Sequence, residues 1–153
     1  MQTTRTETDR LHVSFPLAPL QARRLQFGLD ELHDVRALVA ATATAGGLSS
    51  GRTNDLVVAA SELAANSILH GGGRGLATVW SDDGAVFVEV ADAGTITDPA
   101  VGRTRPEPAA ESGRGLYIAN RLCDEVAIDS SPTGTRIRLR RTLQNSGVHS
   151  AGG

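Results

Sequence analysis

Between residues 29 and 45 apolar side chains recur at three- and four-residue steps: Leu29, Leu32, Val35, Val39 and Ala43. That period predicts a helix with one buried stripe. Asp30 is placed to cap it, Asp34 lies in its first turns, and Gly46-Gly47 ends it. A second helix is predicted from Ser49 or Ser50 to His70, with a narrow small-residue face of Leu56, Ala60, Leu63, Ala64 and Ser67. Gly71-Gly72-Gly73 is its stop signal. The period then falls to two. Leu76 to Trp80 and Val86 to Val90 read as strands joined by the tight turn Asp82-Asp83-Gly84.

Residues 93 to 114 carry little periodicity and include Pro99, Pro106 and Pro108. A non-regular run of that length inside a small domain is usually functional or disordered. Leu116, Ala119, Leu122 and Cys123 mark a short helix beyond it. Val126, Ile128 and the run from Thr135 to Leu143 predict two last strands around a Pro132-Thr133-Gly134 turn. Upstream, Leu11 to Phe15 alternates like a short edge strand, whereas residues 16 to 28, with Pro16 and Pro19, give no clear element.

The order is strand, helix, helix, hairpin, long loop, helix, hairpin. It predicts an α+β domain with helices segregated to one face of a mostly antiparallel sheet. Residues 1–10 are expected to be a flexible end, 11–143 the domain, and 144–153 a disordered tail. No GxxxxGK[ST] run is present, which argues against a P-loop nucleotidase.

Composition narrows the class. The chain of 153 residues suits one domain, and 40% apolar content supplies a core without metal or disulfide staples. With only 3% aromatics, that core is expected to be aliphatic. A net charge of -2 is unlike a duplex nucleic-acid binder. A single cysteine excludes an internal disulfide and fits a reducing cytoplasm. No run approaches the length of a membrane span, and Glu7 and Asp9 are wrong for a signal peptide.

Three places carry candidate chemistry. Glu62 and Asn66 stand at i and i+4 and share one helix face. A carboxylate can accept a proton or orient a water, and an amide oxygen can help hold a divalent cation already bound to phosphate. A solvated polar face is the alternative. His70, at the helix end, suits either the dipole there or a nucleotide contact; His12, His33 and His149 give it no zinc spacing. Asp92 and Gly94 follow the strongest strand. The acid can accept an amino hydrogen from a base edge, and the glycine lets backbone approach a flat ring; both also simply end a strand. Gly113-Arg114-Gly115-Leu116 precedes the short helix, where exposed N–H groups and a cation suit an anion, or where glycines form a hinge.

The order of these pieces says more than any one of them. Ser61-Glu62-Leu63-Ala64-Ala65-Asn66 through Gly72, then Val90-Ala91-Asp92-Ala93-Gly94, then Gly113-Arg114-Gly115-Leu116 through Asp124, resemble the histidine-kinase-type (Bergerat) ATPase fold. Within it the chain is most similar to bacterial anti-sigma-factor serine/threonine kinases. Gly134-Thr135-x-Ile137 resembles the family's final strand pair, so the likeness covers about residues 29 to 142.

The resemblance implies a two-layer sandwich with a mixed, mostly antiparallel sheet, and ATP with Mg²⁺ as cofactors. It implies that Glu62 activates the hydroxyl of a protein substrate and that Asn66 coordinates Mg²⁺ on the ATP phosphates. Asp92 would bind the adenine amino group, with Gly94 beneath the base. Gly113 and Gly115 would form the phosphate loop, and residues 95 to 112 the lid. Arg36 falls where such proteins often carry an arginine near the partner surface. The implied partners are a sigma factor, a STAS-type antagonist and, in some relatives, a second copy. The family's first glycine box is often Asp-x-Gly-x-Gly; here the fifth position is Ile96. A nucleotide-binding adaptor of the same fold, without phosphoryl transfer, is the alternative expectation.

Overall fold

The computed structural model describes residues 15–94 and 111–143. The expected strand at 11 to 15 lies outside them except for Phe15, as do residues 95–110 of the expected lid and both chain ends. Strand β1 spans Arg23–Phe27, helix α1 Leu32–Ala45, helix α2 Ser50–His70, β2 Gly75–Asp82, β3 Ala85–Asp92, α3 Glu111–Leu122, β4 Glu125–Ser131 and β5 Gly134–Thr142. The five strands form one sheet in the order β1-β2-β3-β5-β4. All four pairings among the described residues are antiparallel. The helices pack on one face, which is the two-layer α+β arrangement the pattern predicts.

The core lies between the layers. Val35, Val39 and Ala43 of α1 and Leu56, Ala60, Leu63 and Ala64 of α2 meet Ala77, Val79, Val86, Val88 and Val90 of the central hairpin. Leu116 and Ala119 of α3 and Ile137 and Leu139 of β5 complete it. This is the aliphatic core that the low aromatic content requires.

Three local expectations change. β1 went unread because Arg23, Arg24 and Gln26 dilute its apolar positions; charges at an edge strand discourage pairing with another sheet. Leu29 and Asp30 sit in a single 3-10 turn, and Leu29 is exposed. The reach-back at this turn comes from Glu31, whose Oε1 accepts the Gly28 N–H at 2.8 Å. Finally, α3 begins at Glu111, so Gly113 and Gly115 lie inside its first turns and not ahead of it. Glycine weakens a helix by about 1 kcal/mol per position relative to alanine, so both residues are a cost to α3. Helix α2 starts where the sequence places it, at Ser50, and Ser49 caps it: Ser49 Oγ accepts the Arg52 N–H at 3.2 Å.

One polar cluster fixes α2 at its base. Arg141 of β5 donates to Asp55 of α2 at 2.9 Å and to Asp124 at 3.1 Å. Asp124 also accepts the Thr142 N–H at 2.8 Å. Burial would raise the Asp124 carboxyl pKa, but the Thr142 and Arg141 donors outweigh it and hold the group below its ordinary value. Nearby, burial pushes the Cys123 thiol up to about 12, so it stays protonated and unreactive. A depressed carboxyl pKa contributes stability that is complete above the unfolded value of about 3.9 and is lost as pH falls through the folded value. Asp124 is exposed, so solvent screening keeps the effect modest, and Asp124→Ala is expected to lower unfolding free energy by about 0.5–1.5 kcal/mol at pH 7. Urea melts at pH 7 and below pH 4 check this, because the gap between variant and wild type closes as Asp124 protonates.

Candidate active site

Three elements bring the predicted residues to one end of the sandwich. Helix α2 carries Glu62 and Asn66 one turn apart, both half-buried, and ends at the exposed His70. The end of β3 supplies Asp92 and Gly94, and the start of α3 supplies Gly113, Arg114 and Gly115.

The Asp92 carboxylate is held rigidly. Its Oδ2 accepts the Ser67 hydroxyl at 2.6 Å and its Oδ1 accepts the Gly94 N–H at 2.8 Å. An ionised carboxylate offers about four acceptor directions, so one donor on each oxygen leaves capacity for an amino group. Gly94 is fixed from its other side, where Thr135 Oγ1 donates to its carbonyl at 2.7 Å. Thr135 is 5% exposed, and Ser130 Oγ lies 2.7 Å from the same hydroxyl.

Glycine is required here by close approach. A Cβ on Gly71 would fall 2.4 Å from the Asp92 carboxyl carbon. A Cβ on Gly94 would meet Gly71 Cα and the His70 carbonyl oxygen at 3.0 Å. The run read as a helix stop thus also makes room for the acid at the end of β3. Across the site, a Cβ on Gly115 would sit 2.7 Å from Asn66 Nδ2. That contact places the beginning of α3 directly against Asn66.

Sequence reasoning missed Ser67 and Thr135 as site residues. The sequence pattern puts Ser67 on the packed face, and it is 1% exposed. A buried hydroxyl on an otherwise apolar stripe requires a partner, and that was the available signal. Other predicted residues are placed differently from their neighbours. Leu116 is a core side chain at 2% exposure, so it can face the site only through its backbone. Arg114 is exposed. Arg36 lies on α1, where its Nε donates to Ser61 Oγ at 2.9 Å, one residue from Glu62. A groove of about 730 Å³ lies behind the glycine turn, lined by Phe27, Gly28, Glu31 and Asp92 among others, but it includes neither Glu62 nor Asn66. The side-chain geometry marks the site better than that groove does.

The donor set suits an adenine nucleotide with a magnesium ion. Asp92 offers a fixed acceptor, glycines replace bulk on both sides, and Asn66 offers one hard oxygen. Magnesium usually keeps waters and phosphate oxygens and takes few protein ligands.

The model of the histidine kinase-like ATPase domain matches residues 25–141. The chain belongs to that family. Binding of ATP with Mg²⁺ is typical of it. The anti-sigma F factors of Bacillus subtilis and Bacillus velezensis are each 38% identical to this ATPase domain over 98 residues. The match covers 56% of this chain and 66% of each relative, just under two thirds of their length. Among solved structures, the RsbU and RsbW domains of a Mycobacterium tuberculosis protein superpose with a TM-score of 0.57 at 20% identity, over 84% of this chain and 35% of that one. The catalytic domain of the histidine kinase ThkA gives 0.50 at 16% identity, over 79% and 96%. These two likenesses concern the fold. Within the family the chain resembles RsbW-type anti-sigma factor kinases. No helix among the described residues is long and apolar enough to cross a membrane.

Proposed function

We propose that this ATPase domain is an anti-sigma factor with serine/threonine kinase activity, which binds a sigma factor and phosphorylates a STAS-type antagonist. One observation carries the reading: a carboxylate, Glu62, stands one helical turn from Asn66, which packs against Gly115 at the start of α3. Similarity to the anti-sigma F factors supports the partners.

Asp92 accepts the adenine amino group, and Ser67 and Gly94 keep its carboxylate aimed. Gly113 and the opening turn of α3 receive the phosphates, with Arg114 adding positive charge; the His70 backbone closes the turn behind Gly94. Asn66 holds Mg²⁺, which when bound neutralises charge on the phosphate oxygens. Glu62 takes the proton of the incoming Ser or Thr hydroxyl. The hydroxyl oxygen bonds to the γ-phosphorus as the bond to the bridging oxygen breaks, leaving ADP and a phosphoprotein. The new phosphate adds about two negative charges to the antagonist and weakens its docking. Arg36, beside Ser61, lies at the surface the partner approaches.

Ile96 at the fifth position of the glycine box favours a second reading, an adaptor that binds nucleotide and partner without transfer. The test is affinity capture from the native cytoplasm with and without Mg-ATP, followed by γ-labelled ATP. Label on a captured small protein supports the kinase; capture with nucleotide binding and no label supports the adaptor.

A further inference from the structure

Helices cover one face of the sheet, yet the other face is not bare. Trp80 of β2 stands opposite Phe87 of β3, and Glu89 of β3 opposite Arg138 of β5. Strand alternation puts all four on the outer face. The Trp80 and Phe87 rings stack at 5.1 Å with their planes 8° apart. The Arg138 guanidinium lies 4.8 Å from the Trp80 ring centre and is held by Glu89 at 2.7 and 3.1 Å.

The chain's own segment Phe15-Pro16-Leu17-Ala18-Pro19 lies against this face. The Phe15 ring sits over Arg136 at 4.6 Å and Arg138 at 4.4 Å. The Pro16 carbonyl accepts from Arg138 Nη2 at 2.5 Å. Between segment and sheet is a cavity of about 490 Å³, walled by Pro16, Leu17, Pro19, Trp80, Phe87 and Ala127 among others. An aromatic residue followed by Pro-x-x-Pro is a recognisable peptide. Proline fixes φ and removes a donor, so such a segment loses little entropy on docking. Aromatic-lined grooves are its usual receptors.

Two features make the segment releasable. Residues 15–19 belong to no strand, and Leu17 is 85% exposed, so the docked segment buries little of its own apolar surface. Arg138 also keeps Glu89 as a partner when the segment leaves, so release strands no buried charge.

We propose that the outer sheet face is a docking groove for an extended aromatic–proline peptide segment. Phe15–Pro19 fills it in cis, with Arg138 as the latch. A partner protein bearing the same chemistry would enter by displacing it. The proposal is independent of the nucleotide site on the other side of the sheet.

Trp80 is the sole tryptophan and is 6% exposed, so its emission reports the groove directly. In full-length Phe15→Ala, acrylamide quenching of Trp80 is expected to rise about twofold or more as the cation–ring contacts are lost. The peptide Phe-Pro-Leu-Ala-Pro should then restore wild-type quenching saturably, and Ala-Pro-Leu-Ala-Pro should not. Full-length Pro16→Ala should shift quenching in the same direction, and thermal melts confirm that both variants fold. Quenching unchanged in both folded variants overturns the latch. Equal effects of the two peptides, or none from either, overturn the groove. Protection that appears in the wild type only as it dimerises overturns the assignment in cis.

Discussion

Glu62→Gln is expected to reduce phosphoryl transfer to the antagonist by about 10²–10⁴-fold, the usual contribution of a positioned base. Affinity for Mg-ADP should stay within about threefold of wild type, because in the proposed mechanism the carboxylate serves the incoming hydroxyl and not the bound nucleotide. The substitution keeps the side chain's size on a half-buried helix position, so fold and sigma-factor binding should survive. Single-turnover transfer from γ-labelled ATP, beside calorimetry with Mg-ADP, separates the two effects. Transfer at the wild-type rate would remove Glu62 from the chemistry. Loss of nucleotide affinity together with transfer would move it to the phosphate site.

Asp92→Ala is expected to weaken Mg-ADP binding by about 10–150-fold, the equivalent of a charged hydrogen bond of about 1.5–3 kcal/mol. The same change strands two groups that the carboxylate now satisfies, the Ser67 hydroxyl and the Gly94 N–H. A stability loss of about 1–3 kcal/mol should accompany it. Ser67→Ala provides the control, since it leaves the acid present but unaimed from the α2 side. Its affinity should fall between wild type and Asp92→Ala by calorimetry.

Much of this was legible in the residues. The i, i+4 stripe of Val35, Val39 and Ala43 and the small-residue face of α2 are local patterns, and each matches a buried surface. The alternating hairpin from Leu76 to Val90 is equally plain, because one face had to enter the core. What escaped depends on contacts far apart in sequence. β1 joins the sheet through β2, about fifty residues away, and its own RRLQF carries too few apolar positions to announce a strand. The early start of α3 was hidden because Gly113 and Gly115 read as breakers, whereas Gly115 is needed for the approach of Asn66. Gly71 looked like punctuation until Asp92 was placed beside it. Trp80, Phe87 and Arg138 are scattered along the chain and only the strand register gathers them on one face, where Phe15 reaches them from outside any strand.

The central claim is that Asp92 reads the amino edge of adenine. Adenine presents a donor where guanine presents a carbonyl acceptor, and an acceptor facing a fixed carboxylate is left unpaired and repelled. Titrating the full-length protein with ADP and with GDP, both in excess Mg²⁺, tests this most directly. The account predicts saturable ADP binding, tighter than GDP by about 100-fold or more. Equal affinity for the two nucleotides, or no binding of ADP by the folded protein, would contradict it.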